Sequence, residues 1–401
     1  MIASMASPET LRVASRSAAA VVGAALLALA PLGGCWYEVP DLAAEGGTSN
    51  SDGAPDARDG AAGDGATGDA PVADSGPCLQ TLCGNQCADL QTSDAHCGKC
   101  GHSCQGGACK AGVCQPLVLA TKQSPSHIAV DATSVYWTGG GSVMKCAIGG
   151  CNSAPTALAT GQSGPYGIAV DANAVYWTNF VATTGTVMKC ATGGCNNAPT
   201  TLAANLNQPR GIAVDATSVY WTNSASGTVQ KCGTGGCGGN PVTLASGQPT
   251  PVRELASDGA AIYWTCQPGA VMRCANNCAN NPSTMASSQP SPSAIAVSGT
   301  SLYWTNVNGL NVMKCTTGCA NNPAAIANGQ NGLYAVAADG SGVYWTATAD
   351  GTVLTCPPSG CGAGPTVLAA GQNQPQGIAV DATSVYWANN GDGSILKLAK
   401  P

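Results

Sequence analysis

The sequence predicts an all-β fold built from seven repeated, four-stranded antiparallel units. A Tyr-Trp pair recurs at Tyr136-Trp137, Tyr176-Trp177, Tyr220-Trp221, Tyr263-Trp264, Tyr303-Trp304, Tyr344-Trp345 and Tyr386-Trp387. The spacings of 40, 44, 43, 40, 41 and 42 residues mark a repeat architecture. An orphan segment, Leu117-Val-Leu-Ala120, matches the fourth-segment positions Thr200–Ala203 and Thr366–Ala369, while the last unit stops after its third segment, Ser394–Leu398. Pairing the two completes seven sheets. A four-stranded sheet cannot bury both faces alone, and radial stacking covers them. The expectation is therefore a seven-bladed β-propeller over residues 116–401, closed by residues 117–120.

Within the third unit the four strands are expected at Gly211–Asp215, Ser218–Asn223, Thr228–Cys232 and Val242–Ala245. All are short, rich in Val, Ile, Thr, Tyr and Trp, and bounded by turn formers. The consecutive apolar run Val-Tyr-Trp suits a strand covered on both faces. Ile-Ala-Val sets branched residues against small Ala, as blades crowding an axis require. The Asp that follows (Asp131, Asp171, Asp215, Asp381) opens a type I turn. A ring of calcium-binding carboxylates is the alternative, but none of these Asp residues has a second carboxylate nearby.

The run Gly211-Ile-Ala-Val-Asp215, with Val-Tyr-Trp-Thr-Asn and Gly-Thr-Val-Met-Lys after it, resembles the YWTD-repeat propellers of the low-density lipoprotein receptor class. The resemblance spans residues 117–401, with Thr138 and Thr178-Asn179 standing where that family has Thr-Asp. Two departures matter. That family typically has six blades, and here the fourth letter is Asn in four repeats and never Asp. The resemblance implies partner binding rather than catalysis and transfers no ligand site.

Residues 1–34 read as a lipoprotein signal peptide: Arg12 and Arg16, the apolar stretch Ala18–Ala30, then Leu32-Gly33-Gly34-Cys35. This resembles a bacterial lipobox with Cys35 as the lipidated first residue of the mature chain. An ordinary cleavage site with an incidental Cys is the alternative, and Glu9 ahead of the arginines leaves Met1 or Met5 as the start. Residues 35–77 carry nine Asp and Glu against Arg58 alone and almost no large apolar side chain, the composition of a disordered acidic tether. Outside residues 1–77, twelve Lys and Arg face eleven Asp and Glu, so the acidic balance belongs to the tether. No basic stripe is present, and no nucleic-acid partner is expected.

Residues 78–115 hold eight cysteines, Cys78, Cys83, Cys87, Cys97, Cys100, Cys104, Cys109 and Cys114, in a segment too short for a core. In an exported chain they read as four disulfides of undetermined pairing. Zinc on Cys97 and Cys100 with His96 or His102 is the alternative. The run CADLQTSDAHCGKCGHSC resembles small cysteine-rich units of exported myxobacterial proteins, which implies no activity. Six repeats carry a close pair after the third strand: Cys146/Cys151, Cys190/Cys195, Cys232/Cys237, Cys274/Cys278, Cys315/Cys319 and Cys356/Cys361. Each is expected to staple a hairpin. Cys266 is left over, a free thiol or an intermolecular bridge.

Catalytic material is thin. The propeller has one histidine, His127, and one glutamate, Glu254, and no GxSxG, HExxH or phosphate-cradling glycine loop. No catalytic residue, metal or cofactor is assigned. Seven blades of this repeat size also resemble the streptogramin lyases, so a lyase acting at the channel mouth is the enzyme alternative. Binding has better material. The loop before each inner strand delivers one variable residue to the channel mouth: Ser126, Tyr166, Arg210, Arg253, Ser293, Tyr334 and Gln376, with His127 and Glu254 one residue further in. Aromatic and Arg side chains at a concave mouth are recognition chemistry. The sequence therefore points to an exported protein, lipid-anchored at the outer membrane or cell surface, that binds a protein or glycan of the envelope. A rigid spacer without a ligand is the further alternative.

Overall fold

The computed structural model describes residues 80–275, 277–316 and 321–401. The signal peptide, Cys35 and the acidic tether lie outside the described residues, as do Cys78 and Cys319. The described residues form strands and turns with no helix.

Seven four-stranded antiparallel sheets form the ring. In the third blade they are Pro209–Val214, Ser218–Asn223, Thr228–Gly233 and Val242–Ala245, so the inner strand begins two residues earlier than expected. The seventh blade joins Pro375–Val380, Ser384–Asn389 and Ser394–Ala399 to Leu117–Ala120, with Ile395 opposite Ala120 and Lys397 opposite Leu117. The ring is closed by both ends of the propeller, as the repeat count requires.

The core lies between blades. Trp221 of the third blade packs with Tyr176, Val187 and Leu202 of the second. The same arrangement recurs round the ring, and the Trp side chains of all seven Tyr-Trp pairs are fully buried. Replacing one of them by Ala would cost about 3–5 kcal/mol through lost transfer energy and the cavity left behind. The tryptophans also use their polar edge: the indole N–H groups of Trp177, Trp304, Trp345 and Trp387 donate to Gln162, Gln289, Gln330 and Gln372, at 2.8–3.2 Å.

The Asp residues make turns. Asp215 Oδ1 accepts the amide hydrogens of Thr217 and Ser218, and Oδ2 accepts the Tyr220 hydroxyl at 2.8 Å. Asp131, Asp171 and Asp381 repeat the pattern with Tyr136, Tyr176 and Tyr386. Both oxygens are thus committed within the blade, which replaces the calcium alternative. Burial opposes the carboxylate, yet these hydrogen bonds prevail and hold Asp131, Asp215 and Asp381 below the usual range. Above the same tyrosines lie the third-strand lysines. Lys145 Nζ sits 5.6 Å from the Tyr136 ring centre and donates across to Thr192 O of the next blade at 2.9 Å. Lys397 links the seventh blade to Ile148 of the first in the same way.

Five hairpin disulfides form as paired in the sequence: Cys146–Cys151, Cys190–Cys195, Cys232–Cys237, Cys274–Cys278 and Cys356–Cys361. Cys315 is also disulfide-bonded. In the cysteine-rich segment the pairs are Cys83–Cys100, Cys97–Cys109 and Cys104–Cys114, and Cys87 is bonded as well. The zinc alternative is therefore wrong, because Cys97 and Cys100 are spent on different disulfides. His96 accepts the Gly101 amide hydrogen, and His102 contacts the carbonyl oxygens of Cys97 and Lys400. Disulfides in this number belong to a chain that matures in an oxidising compartment. Cys266 is a free thiol, fully buried in the core of its blade, which removes the intermolecular-bridge alternative.

The cysteine-rich segment packs on the Asp-turn side of the ring. Its cysteines share an apolar cluster with Tyr344 and Leu398, and His102 Nε2 meets Lys400 O at 2.9 Å. Lys400 in turn reaches Asp339 and the carbonyl of Asp381, both at those turns.

Candidate functional site

The opposite side carries the channel mouth, and its backbone is set by three devices. A buried Pro begins five of the inner strands, as at Pro165 and Pro209. One extra residue then bulges from each ladder: Pro209 faces Asn223, but Ile212 faces Trp221. Such a bulge re-aims a side chain, here the variable residue. Finally, the buried Thr of five of the six Tyr-Trp-Thr runs ties its blade to the mouth backbone of the next. Thr178 Oγ1 accepts the Gly167 amide hydrogen at 3.0 Å and donates to Arg210 O of the next blade at 2.8 Å. Thr222 does the same for Gly211 and Arg253 O, and Thr265 and Thr346 reach Ser293 O and Gln376 O. Thr138 donates to Tyr166 O.

The ring breaks this pattern at two blades. Thr305 accepts the Ala294 amide hydrogen at 3.1 Å without donating to the next blade. The seventh blade has Ala388 where the Thr stands, so the Ser126 carbonyl has no such donor, and His127 pairs in register with Thr138. The large second residues, His127 and Glu254, each follow a blade with glycine at the corresponding place. A Cβ on Gly377 would come 2.9 Å from His127 Cα, and one on Gly211 2.8 Å from Glu254 Cα. Only glycine allows those backbones so close.

These elements enclose a cavity of about 460 Å³. His127, Tyr166, Arg210, Arg253, Glu254, Ser293 and Tyr334 line it. Ser126 stands behind, its Oγ 2.9 Å from His127 Nδ1. Gln376 contributes its backbone to the Thr346 bridge while Gly377 lines the wall. Gln267, Ser291, Val307 and Asn308 were not expected. They come from the second-to-third and fourth-to-first connections, which open on the same side; the second-to-third loops carried no periodic signal. The only Phe of the chain, Phe180, stands in such a loop beneath the aromatic cluster.

The side chains are closely coupled. The rings of His127 and Tyr166 lie 4.1 Å apart, and those of His127 and Tyr334 5.9 Å. The Arg210 guanidinium lies 4.7 Å from the Tyr166 ring centre and 6.0 Å from that of Phe180. Its Nε donates to Glu254 Oε1 at 3.1 Å, an ion pair between adjacent blades. Arg253 Nη2 donates to Gln267 Oε1 at 2.8 Å, and Gln267 Nε2 donates to Ser291 Oγ at 3.2 Å.

Burial shapes the electrostatics. It pushes His127 down to about 4; Glu254 opposes this and Arg210 adds to it, so the imidazole is neutral at pH 7. Burial, with Glu254 and Tyr334 adding to it, raises Tyr166 far above the usual phenol range. Arg210 is disfavoured by burial but raised on balance by Glu254 and the two tyrosines. Arg253 is lowered, by burial first and by Arg210 second. A neutral imidazole beside a Ser hydroxyl and a carboxylate can accept a proton. A group that titrates near 4, however, is a weak base at neutral pH.

No protein family matches the sequence, and no curated protein does. Solved structures are similar in fold. Virginiamycin B lyase from Staphylococcus aureus is 17% identical with a TM-score of 0.59, the match covering 72% of this chain and 99% of that one. A streptogramin B lyase is 14% identical at a TM-score of 0.59, covering 71% and 97%. The WD40 propeller domain of Doa1 is 10% identical at 0.57, covering 71% and 97%. At these identities the likeness is one of fold: an enzyme and a WD40 domain share this ring of blades, and the site itself must carry the function.

Proposed function

We propose that this protein is an exported binding module, lipid-anchored at the cell envelope through Cys35 and residues 36–77, whose channel mouth recognises an envelope protein or glycan. The observation that carries this reading is the cavity. It gathers two tyrosines, two arginines, a histidine and a glutamate onto one repeated frame. Its volume is that of a small-molecule or chain-end site, and buried Tyr and Arg are the residues that anchor ligands. The resemblance of the repeats to YWTD propellers supports binding.

A lyase is the second reading, favoured by the Ser126–His127 hydrogen bond and by Glu254 in the same cavity. The low pKa of His127 weighs against it.

The test is capture from envelope extract by the oxidised full-length chain. A variant carrying Tyr166→Ala, Arg210→Ala, Arg253→Ala and Tyr334→Ala is run beside it. A partner retained by the parent and lost by the variant establishes the mouth as the site. Equal retention by both moves the site elsewhere, and no retention by either favours a spacer.

A further inference from the structure

The two arginines of the cavity are not equivalent. Arg210 has its counter-charge in Glu254, 3.1 Å away, and both are largely buried. Arg253 has none. One guanidinium nitrogen, Nη2, is held by the neutral Gln267, itself fixed by Ser291. The buried Nε has no hydrogen-bond partner within the protein. Of the two ion pairs among the described residues, neither includes Arg253. With His127 neutral, the cavity therefore carries one uncompensated positive charge.

A buried donor left unpaired is costly, more so on a charged group, and burial here already disfavours the guanidinium. Nothing in the fold requires an arginine at this place. Of the six equivalent residues in the other blades only Arg210 is also an arginine, the rest being Ser126, Tyr166, Ser293, Tyr334 and Gln376, and the bridging Thr222 holds only the Arg253 carbonyl. The planar fork of Arg253, oriented by the Gln267–Ser291 relay, matches a two-oxygen anion.

We infer that Arg253 is a carboxylate-recognition residue, and that the cavity selects ligands bearing a carboxylate, whether a uronic acid ring or the free end of a peptide. This rests on the channel mouth being a binding site, and names the chemistry it selects. The Tyr166, Tyr334 and His127 rings supply the apolar wall against which the rest of such a group lies, and Glu254 is kept from repelling it by Arg210.

The test uses the full-length chain carrying Cys35→Ser and two matched probe pairs followed by saturation-transfer NMR. These are methyl glucuronide against methyl glucoside, and acetyl-Ala-Ala carboxylate against its amide. A charge-assisted hydrogen bond predicts that at least one acid binds about tenfold or more tightly than its neutral partner. Which pair shows the preference identifies the source of the carboxylate. Arg253→Met should abolish the preference, Arg253→Lys should keep part of it, and Tyr166→Ala should weaken acid and neutral probe alike. Equal binding of acid and neutral probe overturns the carboxylate assignment while leaving the cavity a binding site. Failure of both acids to bind with Kd below about 10 mM overturns it as well, and capture from envelope extract then decides separately whether the mouth binds anything.

Discussion

Thr178 Oγ1 lies 2.8 Å from the carbonyl oxygen of Arg210 in the next blade and 3.0 Å from the amide nitrogen of Gly167 in its own. One hydroxyl thus satisfies two backbone groups that the bulge removes from the ladder, and fixes the backbone of a cavity residue. The frame can hold its position while the side chain it presents changes.

Thr178→Val keeps the shape and removes both bonds. The buried Arg210 carbonyl and Gly167 amide then lose their partner, and the expected loss is about 2–3 kcal/mol in urea unfolding, with unchanged m. The Arg210–Glu254 pair should loosen with it. A Thr178→Ser variant, which restores the hydroxyl, should recover most of the stability.

The tryptophans differ in their polar edge. Trp177 Nε1 donates to Gln162, whereas Trp221 Nε1 is buried without a partner. Trp177→Phe should therefore cost more than Trp221→Phe by about 1 kcal/mol, since only the first breaks a bond. Parallel chemical unfolding of the two variants checks this. Equal losses would show that ring volume alone sets the cost.

His127 predicts a pH dependence. Its ordinary value is 6.5 and burial lowers it to about 4 in the folded chain. Between those values the unfolded chain takes up a proton that the native chain refuses, so stability rises with pH there. The contribution is complete above 6.5 and is lost as pH falls through 4, by up to about 3 kcal/mol. His127→Gln should flatten the stability profile in that window. An imidazole resonance of His127 that titrates near 6.5 would refute the prediction.

Cys266 is buried, and burial pushes its thiol up to about 12. A thiol reagent should leave it unmodified in native protein and modify it after unfolding in denaturant without reductant. Mass spectrometry of the peptide containing Cys266 reads the result. Modification at native conditions would require its blade to open locally.

Much of the ring was legible because the chain repeats itself: seven Tyr-Trp pairs and an orphan Leu117–Ala120 leave little freedom in blade number or closure. The variable mouth positions were legible for the same reason, since a fixed frame makes departures conspicuous. Gln267 and Asn308 were not, because their loops differ in length and composition from blade to blade. The Arg210–Glu254 pair joins separate blades, and charge alone does not say which neighbours meet. The pairing of the cysteine-rich segment was equally hidden, because four bridges among eight cysteines can be drawn many ways. The Asp–Tyr bond was visible in principle. Each Asp stands five residues before its Tyr, which a tight two-strand hairpin brings face to face.

The velcro of the seventh blade has a temporal consequence. Leu117–Ala120 is made near the start of the propeller and its partner, Ser394–Ala399, is the last strand of the ring. During synthesis the six other blades can form in turn, but the sheet of the seventh stays incomplete until that strand emerges. Only then does Leu117–Ala120 find the strand it pairs with. A chain truncated by its final strand thus leaves the edges of Ser384–Asn389 and Leu117–Ala120 unpaired, an adhesive species rather than a smaller propeller.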